Sequence, residues 1–204
     1  MGKGLVTATA VVVIGAAGYV GGVAYSSQRF EDEMARMVAE LDRSSDIKAT
    51  REDVDSGWFG STGRVEMELA TGDGEGPMRI VLPYEAGHGL LSTTMQGNVK
   101  VLYGTPSRDV FAEVLGDGKA IAFDGSVDNF SGASDTTLTL PAFDWQDSES
   151  GTRIDFQGGE LLASHDGGDT PEITVDGEIT PFDITNGAEK VSVGTLSLNG
   201  IYRG

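Results

Sequence analysis

The chain has 204 residues, of which 32 are acidic and 14 are basic, so its formal net charge at pH 7 is −18. This charge excludes nucleic acid as a partner, because phosphate binding needs a basic patch. Cysteine is absent and histidine occurs only twice. Thiol catalysis, disulfides and metal sites rich in cysteine or histidine are therefore excluded as well.

The first predicted element is an apolar run from Leu5 to Tyr25 that contains no charged residue. A helix rises about 1.5 Å per residue, so this run spans the roughly 30 Å hydrocarbon core of a bilayer. Lys3 precedes the run, and the positive-inside rule then exports everything that follows it. The alternative is a signal peptide cleaved near Gly22-Val23-Ala24, but the run is longer than the usual signal-peptide core of about 7–15 residues. We predict that residues 1–27 are a membrane anchor that contacts the lipid bilayer through residues 5–25.

Residues 28–44 are predicted to form an amphipathic helix. Apolar residues recur there at i, i+4, i+7, i+8 and i+11, which is one face of a helix. They are Phe30, Met34, Met37, Val38 and Leu41. We expect this apolar face to pack on the domain that follows or on a partner helix.

Residues 45–204 are predicted to form an exported β domain. Polar and apolar residues alternate in short runs, which is typical of strands with one buried and one solvated face. The clearest runs are Arg64–Leu69, Thr136–Leu140, Gly151–Phe156, Glu172–Val175 and Val191–Leu198. Gly-Asp, Asp-Gly and Gly-Gly pairs between the runs indicate hairpin turns. The chain is therefore predicted to be mainly β: a transmembrane helix and an amphipathic helix, then an antiparallel meander forming an extended, twisted sheet of about ten strands.

Two interruptions of the meander are predicted. Pro83 is expected to mark a sheet edge or a bulge, because proline cannot donate to a ladder. The strand containing it is predicted to end at Tyr84, with Glu85–Gly89 as the break. Ser107–Leu115 is predicted to be a short helix or a loop.

Two adjacent aromatic residues, Trp58 and Phe59, lie between glycines in an otherwise polar segment. Glycine permits a sharp bend, and a large aromatic ring next to a bend often fills the core. We predict that at least one of the two rings is largely buried. Contact with a ligand is the alternative role.

An N-terminal apolar helix, an amphipathic extension, a strand and the element Gly57-Trp58-Phe59-x-Ser61 together resemble the YdgA-like family. These are bacterial inner-membrane-anchored proteins with a domain of unknown function. The step His88-Gly89 and the later Trp145 also match that pattern. The resemblance covers the anchor and roughly residues 45–160, and typical members are longer than this chain.

The resemblance implies a single-pass protein of the bacterial inner membrane, with its N-terminus in the cytoplasm and the bulk of the chain in the periplasm. It implies no catalytic, cofactor-binding or metal-binding residues. The motif positions Gly57, Trp58, Phe59, Ser61, His88 and Gly89 are therefore predicted to be structural.

His88 and two acidic, glycine-rich clusters are further candidates for chemistry. His88 has no Ser, Asp or Glu at a spacing that forms a recognisable triad, so we predict a histidine hydrogen-bonded in a turn. The clusters Gly72–Gly76 and Asp166–Asp169 contain oxygen ligands for calcium but do not match a known calcium loop. We predict neither a metal nor a cofactor.

Two functions remain open. The first is a non-enzymatic envelope protein, a binding or scaffold domain for a hydrophobic ligand or a protein partner. The second is an exported hydrolase that uses paired carboxylates, for example Asp144 and Asp147, since two acids at a suitable separation can hydrolyse glycosides.

Overall fold

The computed structural model describes residues 27–43, 47–69, 77–104, 106–116, 118–148, 150–167 and 172–203. Within these ranges, no helix has both the length and the apolar character needed to cross a membrane. The predicted membrane-spanning run at residues 5–25 lies outside the described residues, as does the Gly72–Gly76 cluster.

The described ranges contain two helices and fourteen strands. In chain order they are α1 (Ser27–Asp42), β1 (Ile47–Ser56), β2 (Gly60–Leu69), β3 (Met78–His88), β4 (Ser92–Tyr103), β5 (Arg108–Asp109), α2 (Val110–Leu115), β6 (Ile121–Asp128), β7 (Ser134–Leu140), β8 (Phe143–Gln146), β9 (Arg153–Phe156), β10 (Gly159–His165), β11 (Glu172–Ile179), β12 (Phe182–Asn186), β13 (Glu189–Val193) and β14 (Leu196–Arg203).

Ten of these strands form one sheet, in the order β1-β2-β3-β4-β6-β7-β10-β11-β14, with β5 paired to the end of β4. All of the pairings are antiparallel. Antiparallel neighbours can be joined by short turns, which is why a meander suits a chain rich in glycine turn signals. The prediction of a mainly β, antiparallel fold with about ten strands is confirmed.

The other four strands form a second sheet, in the order β13-β12-β9-β8. This order follows that of β14-β11-β10-β7 in the main sheet, and each strand is joined to its counterpart by two residues. These joints are Pro141-Ala142, Gln157-Gly158, Thr180-Pro181 and Gly194-Thr195. Proline removes a ladder donor, and Gly158 has a positive φ of 104°. The second sheet is thus the continuation of the last four strands beyond a shared bend.

This bend corrects one predicted strand. Val191–Leu198 alternates without interruption in the sequence, but Gly194 and Thr195 divide it between β13 in the second sheet and β14 in the main sheet. A bend of two residues preserves the period of two, so the alternation pattern cannot reveal it.

Helix α1 packs on the first strands of the main sheet. Its buried side chains Phe30, Met34, Met37 and Val38 join one core with buried residues of β1 to β4, β6, β7 and β10, and Leu41 is partly buried against it. The predicted amphipathic helix and its docking face are therefore confirmed. The Asp42 carboxylate accepts a hydrogen bond of 3.1 Å from the backbone N–H of Ala49, which holds the end of the helix against β1.

The predicted interruption at Pro83 and Glu85–Gly89 is wrong. β3 runs through Pro83 to His88 between β2 and β4, and Pro83 faces Arg64 of β2. On the β4 side, Val81 faces Lys100 and Tyr84 faces Gly97, which is one continuous register. The two residues between them, Leu82 and Pro83, form no pair with β4. An added Cβ at Gly97 would lie 2.1 Å from the carbonyl oxygen of Pro83, so only glycine permits this close approach.

The helix predicted within Ser107–Leu115 is α2. The Asp109 carboxylate caps it by accepting hydrogen bonds of 3.1 Å from the backbone N–H groups of Phe111 and Ala112. This is the usual role of aspartate at the first position before a helix.

Candidate functional site

The Trp58 and Phe59 rings are exposed, which corrects the prediction that one of them fills the core. Their exposed fractions are 88% and 86%. The backbone N–H of Gly57 donates a 2.8 Å hydrogen bond to the carbonyl of Gly60, so the two aromatics occupy the middle of a tight turn between β1 and β2. The core below this turn is already filled by Phe30 of α1. The two rings therefore lie beyond the end of the sheet.

Ser61, from the Gly57–Ser61 element, forms a buried hydrogen bond with His88, from the His88-Gly89 step. The Ser61 Oγ lies 2.5 Å from the His88 Nε2, and the residues are only 2% and 8% exposed. The register of β2 against β3 brings them together, because Gly60 pairs with Gly87. The backbone N–H of His88 also donates a 2.9 Å bond to the carbonyl of Phe59. As predicted, His88 has a hydrogen-bond partner, but it lies at the end of a strand rather than in a turn.

The environment of His88 keeps its imidazole neutral. The ring packs against that of Phe30 at a centroid distance of 5.1 Å. Burial lowers the pKa of His88 below its usual value, and the nearby charge of Glu31 offsets only part of this effect. Among the described residues, the His88 Nδ1 has no hydrogen-bond partner. A neutral ring suits such a site, since a buried unpaired cation would cost far more.

The Ser61–His88 pair is not arranged for nucleophilic catalysis. Ser61 is covered by α1 and almost fully buried, so a substrate cannot reach its hydroxyl. A serine nucleophile also needs a base that is oriented by a third group, and in the described part of the chain no carboxylate accepts from the His88 Nδ1. The pair instead ties the turn that carries Trp58 to the end of β3.

A polar network fixes the first turns of α1 beside His88. The Arg51 guanidinium donates to the Glu31 Oε2 at 2.7 Å and, through its Nε, to the Tyr84 hydroxyl at 2.7 Å. Burial lowers the pKa of Arg51, but its hydrogen bonds to Glu31 and Tyr84 outweigh that effect and raise it. Burial also raises the pKa of Tyr84, although Arg51 opposes this. A charged Arg51 and a neutral Tyr84 thus hold α1 against β1 and β3.

Asn129 ties the turn between β3 and β4 to the turn between β6 and β7. Its side-chain amide donates a 2.8 Å bond to the carbonyl of Gly89, and its backbone N–H donates a 2.8 Å bond to the carbonyl of Leu91. The hydroxyl of Thr93 donates to the Asn129 Oδ1 at 3.2 Å, and Asn129 is only 4% exposed. This role of Asn129 is not predicted by the sequence. The run Asp128-Asn129 signals a turn, but nothing in it indicates contacts across to another hairpin.

The turn between β6 and β7 is also held by hydrogen bonds among its own residues. The Asp128 Oδ1 accepts hydrogen bonds from the backbone N–H of Ser131 at 2.7 Å, the Ser131 hydroxyl at 2.9 Å and the backbone N–H of Phe130 at 3.0 Å. These bonds, led by the Ser131 backbone, hold the pKa of Asp128 below its usual value. Gly89 is needed in the neighbouring turn, because a Cβ there would lie 2.7 Å from the carbonyl oxygen of Ser92.

The three turns together expose large apolar side chains at one end of the main sheet. We call this surface the apolar rim. It consists of Trp58, Phe59, Leu90, Leu91 and Phe130, with exposed fractions of 88%, 86%, 87%, 64% and 65%. The β1–β2, β3–β4 and β6–β7 turns lie at the same end because alternate connections of a meander return to the same end. Residues 56–63, 86–99 and 129–134, which contain these turns, include no Asp, Glu, Lys or Arg.

A shallow cleft of about 530 Å³, lined by both polar and apolar groups, lies beside the rim on the face of the sheet opposite α1. Phe59 borders it, and Glu85, Gln96 and Asp135 are among its lining residues. All three make hydrogen bonds: Gln96 donates to Glu85 at 3.3 Å, and Asp135 accepts from the Ser164 hydroxyl at 2.7 Å. The cleft therefore places these three polar side chains next to the rim.

Asp144 and Asp147, the predicted carboxylate pair, shape the hairpin between β8 and β9. Asp144 forms an ion pair with Arg153, whose Nε lies 2.9 Å from the Asp144 Oδ1, and Arg153 lowers the pKa of Asp144. Asp147 accepts a 2.7 Å bond from the hydroxyl of Ser150. A carboxyl group with a lowered pKa is a poor general acid at neutral pH. In the described ranges no cluster of three or more His, Asp or Glu side chains is placed to hold a metal ion.

The comparisons with known proteins give one finding. A family model described as "Bacterial protein of unknown function (DUF945)" matches residues 1–204. No curated protein and no solved structure shows a significant match.

Proposed function

The chain belongs to this family of bacterial proteins of unknown function, and we propose that it is a non-enzymatic binding domain of the cell envelope. In this proposal residues 5–25 anchor it in the bacterial inner membrane, and the β domain lies in the periplasm as in the YdgA-like proteins. The apolar rim is its binding surface, and a hydrophobic ligand or a protein partner is its target.

The observation that carries this proposal is the exposure of Trp58 and Phe59 on a rigid turn. Both rings are more than four-fifths exposed, in a chain whose net charge of −18 keeps most of its surface polar. Large exposed apolar groups that lie together on a soluble surface usually mark an interaction site. A core role would have buried them.

The rim is ordered before any partner binds. The Ser61–His88 hydrogen bond connects its first two turns, and Asn129 connects the second turn to the third. Ordering loops on binding consumes part of the binding free energy, so loops that are already held bind more tightly for the same contacts. Aromatic side chains add to this effect because they have few rotatable bonds to immobilise.

Photo-crosslinking in living cells tests the proposal. Benzoylphenylalanine replaces Phe59 in the full-length chain, and in a matched control it replaces Val191, which is 58% exposed in β13 of the second sheet. We expect irradiation to give a defined adduct from position 59 and none from position 191. His88→Leu should weaken the adduct, because it removes the bond that holds the turn of Trp58 and Phe59.

Equal adducts from both positions, or none from position 59, would contradict the proposal. The first result would indicate random encounters, and the second would indicate a surface that contacts nothing in the cell. Mass spectrometry of the adduct identifies the target as lipid, as a second copy of the chain or as another protein.

A further inference from the structure

The position of the apolar rim identifies what it contacts. We propose that the rim contacts the surface of the bilayer that holds residues 5–25, so that the three hairpin turns insert into its head-group region. This inference rests on the proposed function, since it names the target of the same surface.

The chain enters the domain at the end where the rim lies. Phe30, in the first turn of α1, packs against His88 at the end of β3, one residue before the β3–β4 turn. The last residue of α1, Asp42, contacts Ala49, near the other end of β1. The start of α1 is therefore beside the rim, and its end points away from it.

The apolar run ends close to this point. Its last residue is Tyr25 and α1 begins at Ser27. Two Cα–Cα steps span at most about 8 Å. A bilayer that holds the run therefore has its surface within about one strand length of the three turns. No long linker separates the domain from that surface.

The composition of the three turns favours a bilayer contact. The tips of the three turns contain no Asp, Glu, Lys or Arg, although Asp128 starts the β6–β7 turn and accepts hydrogen bonds from Phe130 and Ser131 within it. The connection at the opposite end, between β4 and β6, carries Arg108, Asp109 and Glu113. Charged groups resist transfer from water into the interface, whereas Trp, Phe and Leu favour it. Two acidic residues also lie at this end, Asp128 at the start of the β6–β7 turn and Asp166 in the β10–β11 connection, so the proposed bilayer contact is confined to the apolar side chains of the three turns.

The three turns are spaced so that they can contact one bilayer surface side by side. Neighbouring strands are about 4.8 Å apart, so the β1–β2 and β6–β7 turns are separated by roughly 19 Å across four strand spacings. Trp58 has an apolar ring with a polar N–H, the combination that accumulates at membrane interfaces. Because the anchor already holds the domain at the bilayer, even weak insertion of each turn is sufficient for stable contact.

Fluorescence quenching in vesicles tests the inference with the full-length chain. Trp58 and Trp145 are the only tryptophans. Trp145→Phe therefore leaves Trp58 as the reporter at the rim, and Trp58→Phe leaves Trp145 in β8 of the second sheet as the matched control. Each variant is reconstituted into phosphatidylcholine vesicles with or without lipid brominated near the head groups. We expect Trp58 emission to shift to shorter wavelength and to be quenched, and Trp145 emission to change in neither way.

Charge substitutions provide the second arm. In the Trp145→Phe background, Phe59→Asp combined with Leu90→Asp should abolish the quenching of Trp58 while the chain still floats with the vesicles. These side chains are 86% and 87% exposed, so the fold should survive the change. Val191→Asp, at a position that is 58% exposed far from the rim, should leave the quenching intact.

Each contrary outcome has a distinct meaning. An unquenched Trp58 in a chain that floats with vesicles overturns the bilayer contact. If benzoylphenylalanine at position 59 then captures a second copy or another protein, the proposed function stands with a different target. If it captures nothing, both proposals fail. A chain that does not float with the vesicles also overturns the inference, which requires the anchor.

Discussion

Ser61→Ala is the substitution that most directly tests how the rim is held. Ser61 is 2% exposed, and its hydroxyl lies 2.5 Å from the His88 Nε2. Removing the hydroxyl leaves Nε2, like Nδ1, without a hydrogen-bond partner in the part of the chain that the structure describes. An unpaired buried polar group costs about 1–3 kcal/mol. For a chain of this size each kcal/mol shifts the melting temperature by about 2–4 °C, so we expect a decrease of about 2–12 °C.

A double-mutant cycle isolates the hydrogen bond from the loss of packing. In a His88→Leu background the Ser61 hydroxyl is itself unpaired, so Ser61→Ala should then change the free energy of unfolding by less than about 0.5 kcal/mol. Urea unfolding followed by circular dichroism gives the four free energies. The same cost for Ser61→Ala in both backgrounds would refute the reasoning, because it would mean that the two side chains do not interact.

Three further predictions concern burial, pH and salt. Trp58→Ala and Phe59→Ala should each change the free energy of unfolding by less than about 0.5 kcal/mol. Ile80→Ala, a core control, should cost about 2–5 kcal/mol. A clear loss of stability in thermal melts of Trp58→Ala would mean that its ring is buried. Burial lowers the pKa of His88 from 6.5, so the unfolded chain binds this proton more readily and stability is lost as the pH falls through about 6.5. His88→Leu should remove that loss, and parallel stability profiles for parent and variant between about pH 7.5 and 5 would contradict it. Raising NaCl from about 0.05 M to about 1 M should stabilise the chain by screening its acidic surface, with the same effect from KCl; a flat melting temperature in both salts would exclude self-repulsion as a significant cost.

Local patterns were reliable wherever one face of an element is buried. The apolar stripe from Phe30 to Leu41 predicted α1, and alternation at Arg64–Leu69 and Thr136–Leu140 predicted β2 and β7. In these segments the same side chains that set the period also fill the core. Burial of one face places apolar residues at every second position of a strand or along one face of a helix, and this spacing is visible in the sequence.

Local patterns failed where the chain bends or where pairing is between distant segments. Pro83 looked like an edge, but β2 and β4 hold it inside the sheet. Gly194 and Thr195 looked like the middle of a strand, but they lie where four strands bend together. In both cases the conformation of the segment depends on the neighbouring strands, and the positions of those strands cannot be inferred from the segment's own residues.

The sequence by itself determined the local structure and the surface chemistry of this protein: its helix and strand periods, its acidic surface and the uncharged segments at residues 56–63, 86–99 and 129–134. Only the tertiary structure decided that Ser61 meets His88, that Asn129 reaches Gly89 and that Trp58 faces outward. The reason is physical. Periodicity follows from the burial of one face of a single element, whereas these contacts depend on the register between strands and on whether Phe30 already fills the space beneath a turn.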